Sequence, residues 1–139
     1  MADNKNFHLK IISPTRMFYE QDACMLEFTS TEGQMGVYAR HVPTTVVLAP
    51  GIMRITNADG TKKEAAVHGG FVEILKDRIT VMAEIAEWPE EIDVNRAHEA
   101  QIRAERRLAS KDADINQRRA EIALRKSLVR QEVSKGYHK

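Results

Sequence analysis

Over the first 88 residues, apolar and polar side chains trade places at every second position. Phe7, Leu9 and Ile11 alternate with His8 and Lys10. Cys24, Leu26 and Phe28 alternate with Met25, Glu27 and Thr29, and Ile79, Val81, Ala83 and Ile85 alternate with Thr80, Met82 and Glu84. Period two is the mark of a strand with one face buried. Turn-forming residues punctuate the pattern at Ser13-Pro14, Glu32-Gly33, Pro50-Gly51, Asn57-Ala58-Asp59-Gly60, Gly69-Gly70 and Lys76-Asp77-Arg78. Short strands between such turns predict an antiparallel β-sandwich or barrel over residues 1–88, with about eight to ten strands ending near Ala86.

The pattern changes at Trp88-Pro89. From there to Lys135 no further Pro and no Gly occurs, and Ala, Glu, Arg and Lys dominate, all strong helix formers except at caps. Ala97, Ala100, Ala104 and Leu108 form one helical stripe, and Ala120, Leu124 and Leu128 a second. Between them Ser110-Lys111-Asp112-Ala113-Asp114 is polar and rich in N-cap residues. The short break predicts an antiparallel two-helix hairpin over residues 89–139, with helices at about 93–109 and 113–134. Leu108, Ile115, Ile122, Leu124, Leu128 and Val129 are its large apolar residues. Each contributes roughly 1.5–3 kcal/mol when buried, against an ordering cost of about 1–2 kcal/mol per residue. The hairpin therefore needs a surface to dock on, and an element held so weakly can have two arrangements.

Composition narrows the function classes. The chain has 139 residues, 42% hydrophobic and 29% charged, which fits a globular protein. The polar start Met1-Ala2-Asp3-Asn4-Lys5-Asn6 enters no apolar run, so no secretory signal or membrane insertion is expected. The expected location is the cytoplasm, or a membrane reached through a partner. The single Cys24 rules out an internal disulfide and is expected to be a buried structural thiol. Residues 1–88 carry 9 Lys/Arg against 11 Asp/Glu, and residues 89–139 carry 12 against 9. This basic tilt is too mild for a nucleic-acid module.

No phosphate loop, nucleophile elbow or metalloprotease helix is present. His8, His41, His68, His98 and His138 are scattered. A meeting of His41 with His68 would suggest a small β-barrel metal enzyme, although their spacing carries no ligand signature. Asp93 reads as an N-cap for the first helix. On the two helices, Arg96 and Arg103 are seven apart, and Arg119, Lys126 and Arg130 lie at i, i+7 and i+11. With the loop near 110–112, residue 96 would face 126 and residue 103 would face 119. Arg96, Arg103, Lys126 and Arg130 would then form either a solvated charged face or a cluster that an anion such as a polyphosphate relieves.

Glu32-Gly33-Gln34-Met35-Gly36-Val37, His41-Val42-Pro43, Pro50-Gly51, His68-Gly69-Gly70-Phe71-Val72-Glu73-Ile74 and Ile92-Asp93-Val94-Asn95-Arg96-Ala97 follow one another in this order. In order and spacing they resemble the epsilon subunit of bacterial F-type ATP synthases across essentially the whole chain. The resemblance implies a non-catalytic central-stalk subunit, peripheral on the cytoplasmic face of the cell membrane. It implies a β domain that binds the gamma subunit and the c-subunit ring, with Gln34 and His41 on the loop facing that ring. It also implies C-terminal helices that extend toward the alpha/beta catalytic head and inhibit ATP hydrolysis. By the same resemblance, ATP is a regulatory ligand of the folded hairpin, and Glu87, Ile92, Asp93, Arg96, Ala97, Arg103, Lys126 and Arg130 occupy the ATP-contact positions. Two departures stand out. Tyr38-Ala39-Arg40 precedes His41 where the family often has Pro-Gly, and Lys126 replaces a common Arg, keeping the charge without the bidentate fork. A free-standing nucleotide-sensing protein of the same architecture is the alternative.

Overall fold

A computed structural model describes residues 5–110 and 116–137. Seven strands come first: β1 (Phe7–Ser13), β2 (Arg16–Ser30), β3 (Gly33–Tyr38), β4 (Thr44–Val47), β5 (Gly51–Asn57), β6 (Lys62–Ile74) and β7 (Arg78–Glu87). A single 3-10 turn, Pro89–Glu91, leads to α1 (Val94–Ala109), and α2 (Gln117–Tyr137) follows. The strands run β1-β7-β6-β5-β2-β3, β4 joins β6, and β1 also pairs with β2, so the sheet closes on itself. The β-sandwich followed by a helix pair is the expected architecture, with one pairing outside the antiparallel rule: β1 and β7 run parallel, Leu9 opposite Ile79 and Ile11 opposite Val81.

Seven strands among the described residues replace the expected eight to ten because two of them are long. β2 and β6 span 15 and 13 residues and each serves several neighbours in turn. β6 pairs with β5 through residues 62–67, with β4 through 71–74, and with β7 along most of its length. Gly69-Gly70 lies inside β6 and is not a turn. The pair takes φ of 76° and 101°, conformations that glycine adopts without a Cβ penalty. A bend there carries one strand across both layers.

The alternation places Phe7, Leu9, Ile11, Leu26, Phe28, Val67, Val72, Ile79 and Val81 in one core. Cys24 departs from its expected place. A bulge between Ala23 and Met25 shifts the phase. Ala23 is buried instead, and Cys24 is half-buried with its thiol 3.6 Å from the Asn57 carbonyl.

The opposite face of the β5–β6–β7 region carries Ile52, Ala66, His68 and Glu87. Strand register fixes this: Ile52 and Glu87 both stand opposite Ala66, while Ala65 and Val67 point to the core. Helix α2 docks here through Val129 and Val133, which pack on Ala66, Ile52 and Ile92. Helix α1 buries Ala97 and Ala104 and packs on α2, where Gln131 donates to the Gln101 side-chain carbonyl at 2.8 Å. Among the described residues, the hairpin is thus attached to the sheet mainly through α2.

The second helix starts and ends later than expected. Asn116 is not helical, and its side-chain oxygen accepts from the Arg119 N–H at 3.1 Å as an N-cap would. The break residues 111–114, Ile115 and His138 lie outside the described residues. Leu128, expected in the buried stripe, is 45% exposed, because α2 turns Val129 and Val133 toward the sheet.

Candidate functional site: a pocket at the hinge of the hairpin

The linker between the two parts is fixed to the β body. Trp88 stacks on Phe18 with centroids 4.2 Å apart and meets Tyr19 edge-on at 5.6 Å. Lys63 Nζ lies 5.1 Å from the Trp88 ring centre, a cation–π contact. Glu91 accepts from the Trp88 N–H at 2.9 Å and from Arg16 at 2.7 Å, and Arg16 holds the Glu91 carboxyl below its ordinary range. Ile92 and Asp93 therefore leave the body from an anchored turn. Asp93 caps α1 by accepting from the Arg96 N–H at 3.1 Å.

A pocket of about 260 Å³ opens at this hinge, just below the usual range of about 300–1,000 Å³ for small-molecule sites. It is lined by Glu87 from β7, by Ile92, Asp93, Arg96, Ala97 and Arg103 from the hinge and α1, and by Arg130 from α2. Glu91 and Ala100 complete it. Neither was anticipated, although Ala100 stands on the same stripe as Ala97 and Ala104.

Lys126 is not in this lining. It borders a separate groove along the first half of α2, and Arg119 is exposed near the helix start. The expected facing of 96 with 126 and of 103 with 119 is corrected by the Gln101–Gln131 contact, which slides α1 toward the C-terminal half of α2. Arg103 then comes opposite the turn that carries Arg130. Stripe periodicity gives the face of each helix but not this offset.

The pocket's charges are unevenly satisfied. Arg130 Nε donates to Glu87 Oε1 at 2.6 Å, with both side chains about one-quarter exposed. Burial works to raise the Glu87 carboxyl, but the Arg130 guanidinium bound to it outweighs that and holds it below its ordinary value. Glu91 is taken by Arg16 and Asp93 by the helix start. Among the described residues, the Arg96 and Arg103 guanidinium groups make no ion pair. Two unpaired cations and a third held through one nitrogen face a cleft with an apolar wall of Ile92, Ala97 and Ala100. That arrangement suits an anion joined to an apolar group.

Gln34 and His41 occupy different surroundings. Gln34 is exposed within β3, opposite Thr29, and not in a loop. His41 lies beyond the other end of that strand, after the turn at Ala39-Arg40, with Nδ1 2.7 Å from the Val42 carbonyl. Arg40 before it has φ of 66° and donates its N–H to the Lys76 carbonyl at 2.8 Å. His41 and His68 do not meet, since His68 is buried beneath α2. Among the described residues no group of three His, Cys, Asp or Glu side chains is placed to hold a metal. No helix among them is long and apolar enough to cross a membrane.

A β-sandwich with a helical hairpin docked mainly through α2, and a cationic cleft at their hinge, defines a two-part body-and-tail protein. Residues 6–89 match the family described as ATP synthase, Delta/Epsilon chain, beta-sandwich domain, and residues 90–135 match its long alpha-helix domain. The chain belongs to the ATP synthase delta/epsilon family. It is 41% identical over 135 residues to the ATP synthase epsilon chain of Caldanaerobacter subterraneus subsp. tengcongensis, covering 96% of this chain and 97% of that one. It is 40% identical to the epsilon chain of Ruminiclostridium cellulolyticum, covering 89% and 92%. The fold matches a chain in the cryo-EM structure of the Euglena gracilis mitochondrial ATP synthase (OSCP/F1/c-ring) with a TM-score of 0.81 at 24% identity, over 97% of this chain and 82% of that chain.

Proposed function

We propose that this chain is the epsilon-type, non-catalytic subunit of the central stalk of a rotary ATP synthase. The β body would join the gamma subunit and the c-subunit ring, peripheral at the cytoplasmic face of the cell membrane. The hairpin would be the regulatory part. Docked, it holds ATP in the hinge pocket; extended toward the alpha/beta head, it restrains ATP hydrolysis. The observation that carries the regulatory reading is the gathering of Arg96, Arg103 and Arg130 around one cleft with an apolar wall, although these residues come from two helices. ATP would bridge α1, α2 and Glu87, and would favour the docked state by its differential affinity for the two states.

Calorimetry on the isolated full chain tests the nucleotide. The expected result is saturable heat with ATP at submillimolar concentration, and absence of heat at millimolar ATP would remove nucleotide sensing. Inhibition is tested separately, by truncating after Trp88 in the assembled complex. ATP hydrolysis should rise while assembly persists. An unchanged rate would show that the tail is not an inhibitor.

A further inference from the structure

We propose that docking of the hairpin is linked to protons through His68: the docked hairpin encloses this imidazole in its neutral form, and acidification releases α2 from the sheet. The inference rests on the reading that the hairpin has an undocked state. It does not depend on nucleotide.

The geometry begins with strand phase. In β6, Ala65 and Val67 enter the sandwich core while Glu64, Ala66 and His68 face outward. These three positions run beneath α2. A Cβ on Gly136 would stand 3.5 Å from Glu64, Val129 and Val133 cover Ala66, and the Arg130 and Lys126 charges of α2 lie near enough to act on His68. His68 is 0% exposed although it sits on the outer face of the sheet, so the covering element is the docked helix. Lifting α2 returns the ring to water.

Neither ring nitrogen has a hydrogen-bond partner among the described residues. Glu87 Oε1 is 3.7 Å from Nε2, too long for a hydrogen bond, and the same oxygen already accepts from Arg130. The charged groups facing the ring are Glu87 from β7 and Arg130 and Lys126 from α2. Burial pushes the imidazole below its ordinary value. Glu87 opposes this, and the two cations add to it.

The sign follows. The docked state holds its proton less tightly than the undocked state, so the undocked state gains protons first. Docking is at full strength above the ordinary histidine value of about 6.5 and weakens as pH falls below it, by up to about tenfold per pH unit, until the docked imidazole itself titrates.

Two measurements on the full chain without nucleotide decide the matter. In the first, amide exchange of α2 relative to the β core, corrected for intrinsic rates, is followed from pH 7.5 to 5. Protection of α2 should fall up to tenfold per unit below pH 6.5 while the core, where His8 binds its proton more tightly when folded, loses none, and the slope should vanish in His68→Gln. In the second, NMR titration of the wild-type imidazoles should find His68 below the ordinary value. His8 should titrate above it, because it is held by Glu20 and Asp22. A pH-independent α2, an equal slope in His68→Gln, or a His68 that titrates normally while α2 stays protected would each overturn the proposal. If His68→Gln does not fold, the wild-type exchange and titration still decide.

Discussion

Arg130→Ala is expected to weaken ATP binding to the isolated chain by about 10- to 100-fold, the equivalent of one charge-assisted contact. Its guanidinium is bound to Glu87 through Nε, which fixes the group and leaves its terminal nitrogens for a ligand. Removing it takes away a phosphate donor and leaves Glu87, half-buried and negative, at the edge of the site. Arg103→Ala should act in the same range through the donor alone. Lys126→Ala is expected to cost far less, because that residue lies outside the pocket lining. Calorimetric titration of the three variants checks the order. An affinity loss at Lys126 equal to that at Arg130 would mean that the ligand extends beyond the hinge cleft.

Gly70→Ala should destabilise the β body by on the order of 3 kcal/mol or more, read as a lower urea midpoint. Gly70 has φ of 101°, and an added Cβ would overlap the backbone carbonyl oxygen of Met82 on β7. That oxygen belongs to a paired strand and cannot move aside alone. Gly69→Ala has a similar backbone problem, with φ of 76°, but its Cβ would meet the Glu84 carboxylate, the far end of a flexible side chain. About 1–2 kcal/mol is expected there. Equal costs at the two positions would mean that backbone conformation, and not the Met82 contact, sets the penalty.

The same glycine pair marks where reading the sequence stopped short. Period-two alternation placed Leu9, Leu26, Val81 and their neighbours correctly because one face of each strand is in the core. Gly69-Gly70 signals a positive φ, and a turn and a bend within a strand need that conformation equally. Only the partners decide between them, and β7 runs unbroken alongside. In the hairpin, the stripe Ala97, Ala100, Ala104 and Leu108 marked the buried side of α1. The offset between helices depended on the Gln101–Gln131 contact and on where Asn116 starts α2, which periodicity does not encode. That offset moved Arg103 beside Arg130 and left Lys126 outside. The cover over His68 was invisible for a similar reason. Its outward phase follows from Ala66, but that a helix lies on it is a tertiary fact.

One pairing bears on mechanics. β1 and β7 are parallel, and β7 is the strand that hands the chain to the hinge. Tension on the tail draws β7 toward its C-terminal end. Along β1, and along its antiparallel partner β6, that load acts lengthwise. The cross-strand hydrogen bonds are then sheared together and are not peeled one at a time. A lengthwise pull on the tail would therefore be carried by β7 against both of its neighbours at once, and would not start unravelling at the hinge.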